Sequence, residues 1–496
     1  SFEPTASLVQ RKTKHYTSLT EALAGIKETQ WNIALNRLAD CGLIFPPAPG
    51  AAFNKLALDT HPLIREYFAK ELRDHHPDAW REGHRRLFEQ FRNSVPRHPE
   101  GAVDLQPLYQ AVAHGCQAGL YEVARVEVYR ERILRGAGHD GFYSEKKLGL
   151  IGDDLGALAC FFTGDWSQPV AALSVASQAW LLNEASRHLR ALGRLGAARE
   201  PMWAGAELQV KQQGWTNAAI GYNNLSELEL SLGEIAAAVN SARKSLDYAE
   251  ISGDPIQCMA RRVTLADALH QQGAVEAAQS LFAEAEKRQS EGQPDFPLLY
   301  SLRGFFYCDL LLAEAERAVW RVYPVQGGKD ARLATGCTII EQRAAQTLEW
   351  AKVANIDILS IALDHLTLAR CALLRALLAG GDPTVATVPA EAALKILRDS
   401  NNQDLIPIGL LTRAWLRHAC GDQPGALADL DEAEQIAARG GMKLHLADIA
   451  LHRARLFRDR DALAEARRLI EECGYGRRLP ELADAEAFLN GPAGLN

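Results

Sequence analysis

Residues 225–242, LSELELSLGEIAAAVNSA, decide the fold: an apolar helical run stops at Gly233 and an alanine-rich helical run follows at once. A glycine at such a corner ends a helix in the left-handed conformation, which is cheapest without a Cβ. The arrangement returns at residues 264–285, TLADALHQQG then AVEAAQSLFAEA, and at residues 411–433, LTRAWLRHACG then DQPGALADLDEA. Gly233 and Gly273 lie 40 residues apart, and so do Gly381 and Gly421. Seven residues before the glycine stands a small residue in three units, Ser226, Ala266 and Ala414, while the fourth carries Leu374. Five residues after it come Ala238, Ala278, Ala386 and Ala426. Small residues at both points let two helices approach closely. Repetition at this period marks a solenoid of helical hairpins, an architecture that holds partners.

The pairing follows tetratricopeptide logic, stretched from the usual period of about 34 residues. HEAT hairpins have a similar period but carry no such glycine, so the tetratricopeptide reading is preferred. The fold class expected is all-α: a tetratricopeptide-like superhelix of about nine hairpins over residues 105–479, closed by a cap helix and tail over 480–496. Its pairs are read as 105–118 with 121–135, 144–163 with 169–180, 181–195 with 197–213, 217–232 with 234–251, and 256–272 with 274–290. The series continues with 296–318 and 335–354, 357–379 and 386–399, 404–420 and 423–438, and 443–457 and 461–473. One connection breaks the period. WRVYPVQGGKDARLAT, residues 320–335, is longer than a hairpin turn needs, and insertions in repeat arrays map to one face that is often the binding face. Tyr323, Lys329 and Arg332 are therefore partner-binding candidates. His270 and His418 share one repeat position, three before the glycine, and are read as a polar strip on the inner surface or else as ordinary half-exposed helix residues.

The first 92 residues differ. Two short helices at 18–28 and 31–42 lead into LIFPPAPGAAFNKLALD, two strand-like pieces joined by a Pro/Gly turn, and HPLIREYFAKELRD resumes a helical period. Helices followed by a β-hairpin suggest a winged-helix domain, with Ile33, Leu35, Leu38, Leu43, Ile44, Leu56 and Leu58 inward. RNSVPRHPEGAVD reads as a linker, residues 93–104.

A chain of 496 residues that is 47% hydrophobic and 7% aromatic suits a large helical array. Its net charge of −8 supplies no basic field for nucleic acid or an acidic membrane surface. With no apolar span or secretory leader apparent, the expectation is a cytoplasmic protein with no membrane partner. Nine cysteines, scattered singly, read as reduced packing residues. No phosphate loop, dinucleotide fingerprint, HExxH or GxSxG occurs, so the chain itself is expected not to be an enzyme. His75, His76 and His84 form the densest histidine group, but with no cysteine near they make a poor zinc set and no metal is expected.

At residues 31–72, WNIALNRLADCGLI, a hairpin, then LALDTHPLIREYFAKEL, the chain resembles the winged-helix domain that follows the nucleotide-binding core of STAND-type signalling ATPases. NNLSELELSLG, PLLYSLRGFFYCDLLL and LIEECGYGRRLPELADAE resemble the tetratricopeptide sensor arrays of bacterial members. The resemblance implies a C-terminal part whose ATPase core is absent from this sequence. It implies ADP or ATP bound by the parent, a protein or peptide trigger on the array, and oligomerisation of the parent on activation. In that family a histidine of a Met-His-Asp-like motif touches the β-phosphate of ADP. Thr60-His61-Pro62 occupies the place, so the resemblance makes His61 the nucleotide-sensing residue, while the residues alone also allow it to cap the helix that begins at Pro62. Two other classes stay open: a transcription regulator that binds effectors through its repeats, and a constitutive protein-binding scaffold.

Overall fold

The computed structural model describes residues 25–45, 59–136, 141–323, 330–353, 357–400 and 402–490. The described chain is mostly helical, with one two-residue ladder and an isolated bridge between Phe162 and Pro169, and it divides into two compact units.

The first unit comprises residues 1–94 with 113–120. Its described elements are helix α1 (Glu28–Asp40), strands β1 (Ile44–Phe45) and β2 (Asp59–Thr60), and helices α2 (Pro62–His75) and α3 (Pro77–Asn93). β1 and β2 are antiparallel, Ile44 opposite Thr60 and Phe45 opposite Asp59. The turn expected between them, with Leu56 and Leu58, lies outside the described residues, so the ladder alone does not establish a winged helix. The expected inward residues are also not buried: Ile33, Leu38 and Leu43 are exposed, and Leu35 and Ile44 are half-buried. α2 buries no residue and α3 buries only Phe88, because two-residue strands give these helices little surface to pack on. His84 does not join His75 and His76; its Nδ1 lies 2.8 Å from Nδ1 of His114, against Trp80.

The second unit comprises residues 95–112 and 121–496. Residues 95–99, expected as linker, are held in it: Arg132 donates to the carbonyls of Val95, Pro96 and Arg97, and Arg135 to that of Pro99. Helix α4 (Gly101–Gln117) begins earlier than expected, and α5 (Tyr121–Val123) runs on as a π-helix, Ala124–Ile133. The stretch expected as one helix over 144–163 is two short ones, α6 (Tyr143–Lys146) and α7 (Ile151–Ala159). The expected boundary at 180/181 falls inside one continuous helix, α8 (Val175–Ala191), whose start Ser174 caps by accepting from the Ser177 amide.

From there seven regular hairpins follow: α8 with α9 (Leu195–Lys211), α10 (Trp215–Leu232) with α11 (Ile235–Ser252), and α12 (Pro255–Gln272) with α13 (Val275–Gly292). Next come α14 (Ser301–Val322) with α15 (Ala331–Val353) and α16 (Ile358–Ala379) with α17 (Thr387–Asp399). The last are α18 (Ile406–Ala419) with α19 (Gln423–Gly440) and α20 (Lys443–Phe457) with α21 (Arg460–Cys473), and α22 (Leu479–Asn490) closes the described chain. The small-residue contact is direct in α10–α11, where Ser226 Oγ donates to the carbonyl of Ala238 at 2.8 Å and both residues are fully buried. Gly233, Gly273 and Gly421 take the left-handed conformation expected of them. In the fourth unit Gly380 does so instead of Gly381, one residue earlier, and the residue seven before it, Leu373, is again not small. The 320–335 insertion is smaller than expected, because α14 runs on to Val322 and places Trp320 in the core, stacked on Trp415 at 3.9 Å.

The first helix of each hairpin is buried on several sides and the second on one stripe: α12 buries thirteen residues, α13 only Ala278, Phe282, Ala285 and Gln289. The first helices are inner because the array closes upon itself. α10 packs on α20, and α14 on α22. Two of the corner glycines, Gly233 and Gly273, lie on the seam. A Cβ on Gly233 would stand 2.5 Å from Cys473 Sγ and 2.9 Å from Lys443 Cβ, and one on Gly273 would stand 2.9 Å from the backbone of Gly476. Gly193, another left-handed corner and 40 residues before Gly233, lies beside Gln403 and Met442.

This separates two roles of the repeat glycine. Gly253→Ala, at a left-handed position with open space around it, is expected to cost about 1–2 kcal/mol. Gly233→Ala adds the collision with Cys473 and Lys443, about 1–3 kcal/mol more. Denaturant unfolding of both variants measures the difference, and equal losses would show that the seam is not tightly packed.

Candidate functional site

Closure brings the inner helices around one cavity of about 160 Å³, and every helical residue on its wall belongs to a first helix, from Arg190 of α8 to His452 of α20. The loop residues Asp404 and Leu405 and the turn carrying Tyr475, Arg477 and Arg478 complete the wall. Part of the lining is apolar, with Leu230, Phe305, Leu373, Ile408, Leu411 and Trp415. The remainder carries six carboxylates and four guanidiniums.

Each guanidinium is paired with a carboxylate, although the Nε–H of Arg477 finds no acceptor among the described residues. Arg370 bridges Asp309 at 2.8 Å and Glu316 at 2.9 Å. Arg477 forks onto both Asp309 oxygens and reaches Gln271 Oε1. Arg478 binds Glu316 at 2.9 Å, Asp448 at 2.7 Å and Glu481 at 2.6 Å. Arg190 joins Glu227 to Asp404, 3.2 Å away through Nε. Burial alone would raise the pKa of Asp309, but Arg477 and Arg370 overcome it and hold this carboxyl well below the ordinary range. Glu316 is held down in the same way, chiefly by Arg478.

Two carboxylates are not balanced. Asp267 receives one hydrogen bond, from Gln271 at 2.8 Å, and forms no ion pair with a described residue. Burial pushes its pKa up to about 7 against that hydrogen bond, with Asp309 and Glu227 adding to the rise and Arg477 opposing it. Asp404 is 5% exposed; Arg190 takes its Oδ2, but Oδ1 receives no hydrogen bond from any described residue. Burial raises its pKa too, against the pull of Arg190. The cavity histidines are neutral: burial drives His452 down to about 4 and lowers His445. Among the described residues no three His, Cys, Asp or Glu side chains converge as a metal-binding set, and no helix is long and apolar enough to cross a membrane.

The residues singled out from sequence fall in four places. His270 is neither on a polar strip nor half-exposed: it is 1% exposed, behind the cavity wall, with Nδ1 3.9 Å from Asp309 and unbonded. Burial and Arg477 bring its pKa to about 3, so it stays neutral. His418, at the same repeat position, is half-buried and meets Tyr323, whose hydroxyl lies 2.6 Å from its Nδ1. The two thus come together, in one aromatic cluster with the Trp320–Trp415 stack and His452. Arg332 is exposed and paired with Glu314. Lys329 lies outside the described residues. His61, in the first unit, caps α2: its Nδ1 accepts from the Leu63 amide at 3.3 Å.

The residues that build the cavity, Asp267, Asp309, Asp404, Arg370, Arg477 and Arg478, were not singled out. A signal existed in the carboxylates set inside apolar inner helices, as in LADALH around Asp267. Their convergence depends on closure, which local pattern does not encode. No protein-family model matches the chain, and no curated protein matches it.

Two outcomes follow. Arg478→Met leaves Glu316, Asp448 and Glu481 buried without their shared cation and is expected to cost about 3–5 kcal/mol in equilibrium unfolding. Asp267 binds a proton more tightly folded than unfolded, so its contribution to stability is present at low pH and is lost as pH rises from about 4 to about 7. Asp267→Asn removes this loss, and the variant should gain on the parent chain across that window in pH-dependent thermal unfolding.

Proposed function

We propose that the chain is the ligand-sensing region of a larger signalling protein, and that its repeat array takes up a small molecule among its inner helices. The observation that carries this reading is the wall of first helices around one cavity with buried carboxylates left unbalanced. Unpaired buried polar groups are costly, and a cavity with both apolar and polar walls is the usual form of a small-ligand site. A cavity of about 160 Å³ has room for a small molecule. A constitutive scaffold would have no use for such a chamber.

The resemblance of residues 31–72 supports the rest of the reading: a winged helix coupling the array to the nucleotide-binding core of a STAND-type ATPase, with ADP held in the resting state. His61 suits the sensing role in that scheme, because its Nδ1 is an acceptor in the cap. The proton then resides on Nε2, leaving a donor for a phosphate oxygen. Next to it Leu63, Tyr67 and Phe68 are 70%, 61% and 64% exposed, an apolar face suited to a neighbouring domain. Ligand binding would shift the parent toward its active oligomer by preferring one form of the array.

A polypeptide trigger is the second reading, placed on the outer helices, where Ile339 and Val353 of α15 and Val388 of α17 are exposed. Arg332 and Tyr323 would contribute there.

The test is native mass spectrometry of the purified chain after incubation with a cellular small-molecule extract. The parent chain should retain a discrete added mass, and Ser231→Phe, which grows from the cavity wall, should lose it. A chain that retains no small molecule but captures polypeptides moves the trigger to the outer face. In the full-length parent, His61→Ala should speed ADP release and raise basal activity. His61→Asp, which keeps a good cap but repels phosphate, should do the same; unchanged ADP retention in both would remove His61 from nucleotide sensing.

A further inference from the structure

Resting on the reading of the cavity as a small-molecule site, we propose that its occupant is a small organic cation, an amine or guanidine on an apolar body, held between Asp404 and Asp267. Charge is the first ground. Six carboxylates share the lining with four guanidiniums, an excess of two negative charges once Asp267 and Asp404 are both ionised, and each guanidinium is already paired with a carboxylate. An anionic ligand would find no free cation and would meet the excess. A cation would meet the two carboxylates that the protein leaves unbalanced.

Geometry is the second ground. Asp404 lies on the wall, is almost wholly buried, and has an oxygen with no donor from any described residue. Asp267 has a single neutral donor in Gln271. Glu227 relates the two, bound to Asp404 through Arg190 and raising the proton affinity of both. An ammonium or guanidinium supplies the N–H donors that such oxygens lack, as a charge-assisted hydrogen bond. A bare metal ion is the poorer occupant, because no three ligating side chains converge among the described residues.

The apolar lining sets the rest of the molecule. Leu230, Phe305, Leu373, Leu411 and Trp415 offer aliphatic and aromatic surface to a hydrocarbon body. An inorganic cation would leave that surface unused. A long polyamine would need a carboxylate at each charge, and the cavity offers two open ones, Asp404 and Asp267.

The experiment uses three isosteric probes on the full chain by isothermal calorimetry: 2-phenylethylammonium chloride, neutral 2-phenylethanol and anionic 3-phenylpropionate. The ammonium probe should bind at least about tenfold more tightly than either of the others, one charge-assisted contact being worth roughly that ratio. Asp404→Asn and Asp267→Asn should each weaken it about tenfold or more while leaving 2-phenylethanol unchanged. Its affinity should also rise between pH 6 and pH 8 as Asp267 ionises among Gln271, Asp309, Arg477 and Glu227, and Asp267→Asn should flatten that rise. Asp267→Asn is expected to fold well, since burial already favours the neutral form, so it carries the test if Asp404→Asn unfolds. Equal binding of the ammonium and neutral probes, both blocked by Ser231→Phe, would overturn the cation inference and leave the cavity reading standing. Tighter binding of the anion would overturn it likewise. Failure of all three probes to bind would overturn both.

Discussion

The paired guanidiniums of Arg477 and Arg478 are the constraint on which the repeat unit depends. They sit on a short turn near the end of the described chain, yet their carboxylate partners Asp309 and Glu316 lie on α14, more than 160 residues earlier in sequence. Arg478 also holds Asp448 of α20, so one side chain ties the middle of the array to its last hairpin. Ions buried this deeply lose several kcal/mol each in hydration, and only multiple well-aligned partners recover it. The consequence is specificity of arrangement: an array slipped by one hairpin would bury these charges unpaired.

Closure changes what an array of helical hairpins is. An open superhelix presents its inner helices as a surface, whereas here the inner helices meet corner to corner and enclose a chamber. The glycines at 193, 233 and 273 stand at these corners. Each accepts a left-handed backbone at a helix end, and Gly233 and Gly273 also lack the Cβ that would strike the opposite side of the seam. Carboxylates that would be solvated on an open face are buried by the same step, which is why Asp267 and Asp404 hold their protons more tightly than ordinary aspartates.

Much of the secondary structure was legible because it rests on local physics. From Trp215 onward the expected helices agree with the observed ones to within a few residues at most ends, since helical period, capping glycines and alanine contacts all act over short range. The misreadings have local causes too. Gly380 and Gly381 stand side by side, and either could end α16; the chain used the first. The region before Val175 carries no repeat glycine at the 40-residue spacing, and there the expected pairs dissolved into short helices and a π-helical run. Of the candidate residues, Tyr323 and His418 proved to be neighbours, although they were chosen for unrelated reasons, an insertion and a repeat position.

The sequence by itself determined the hairpin, its period of 40 residues and the small contacts that hold its two helices together, because these depend on residues fewer than about twenty positions apart. Only the tertiary structure decided that the series closes, that His270 is sealed in the core while His418 is not, and that Asp267, Asp404, Arg477 and Arg478 share one chamber. The physical reason is distance along the chain. The free energy of a buried charge depends on which partners arrive from 160 or more residues away, and no local pattern states which corner will meet which.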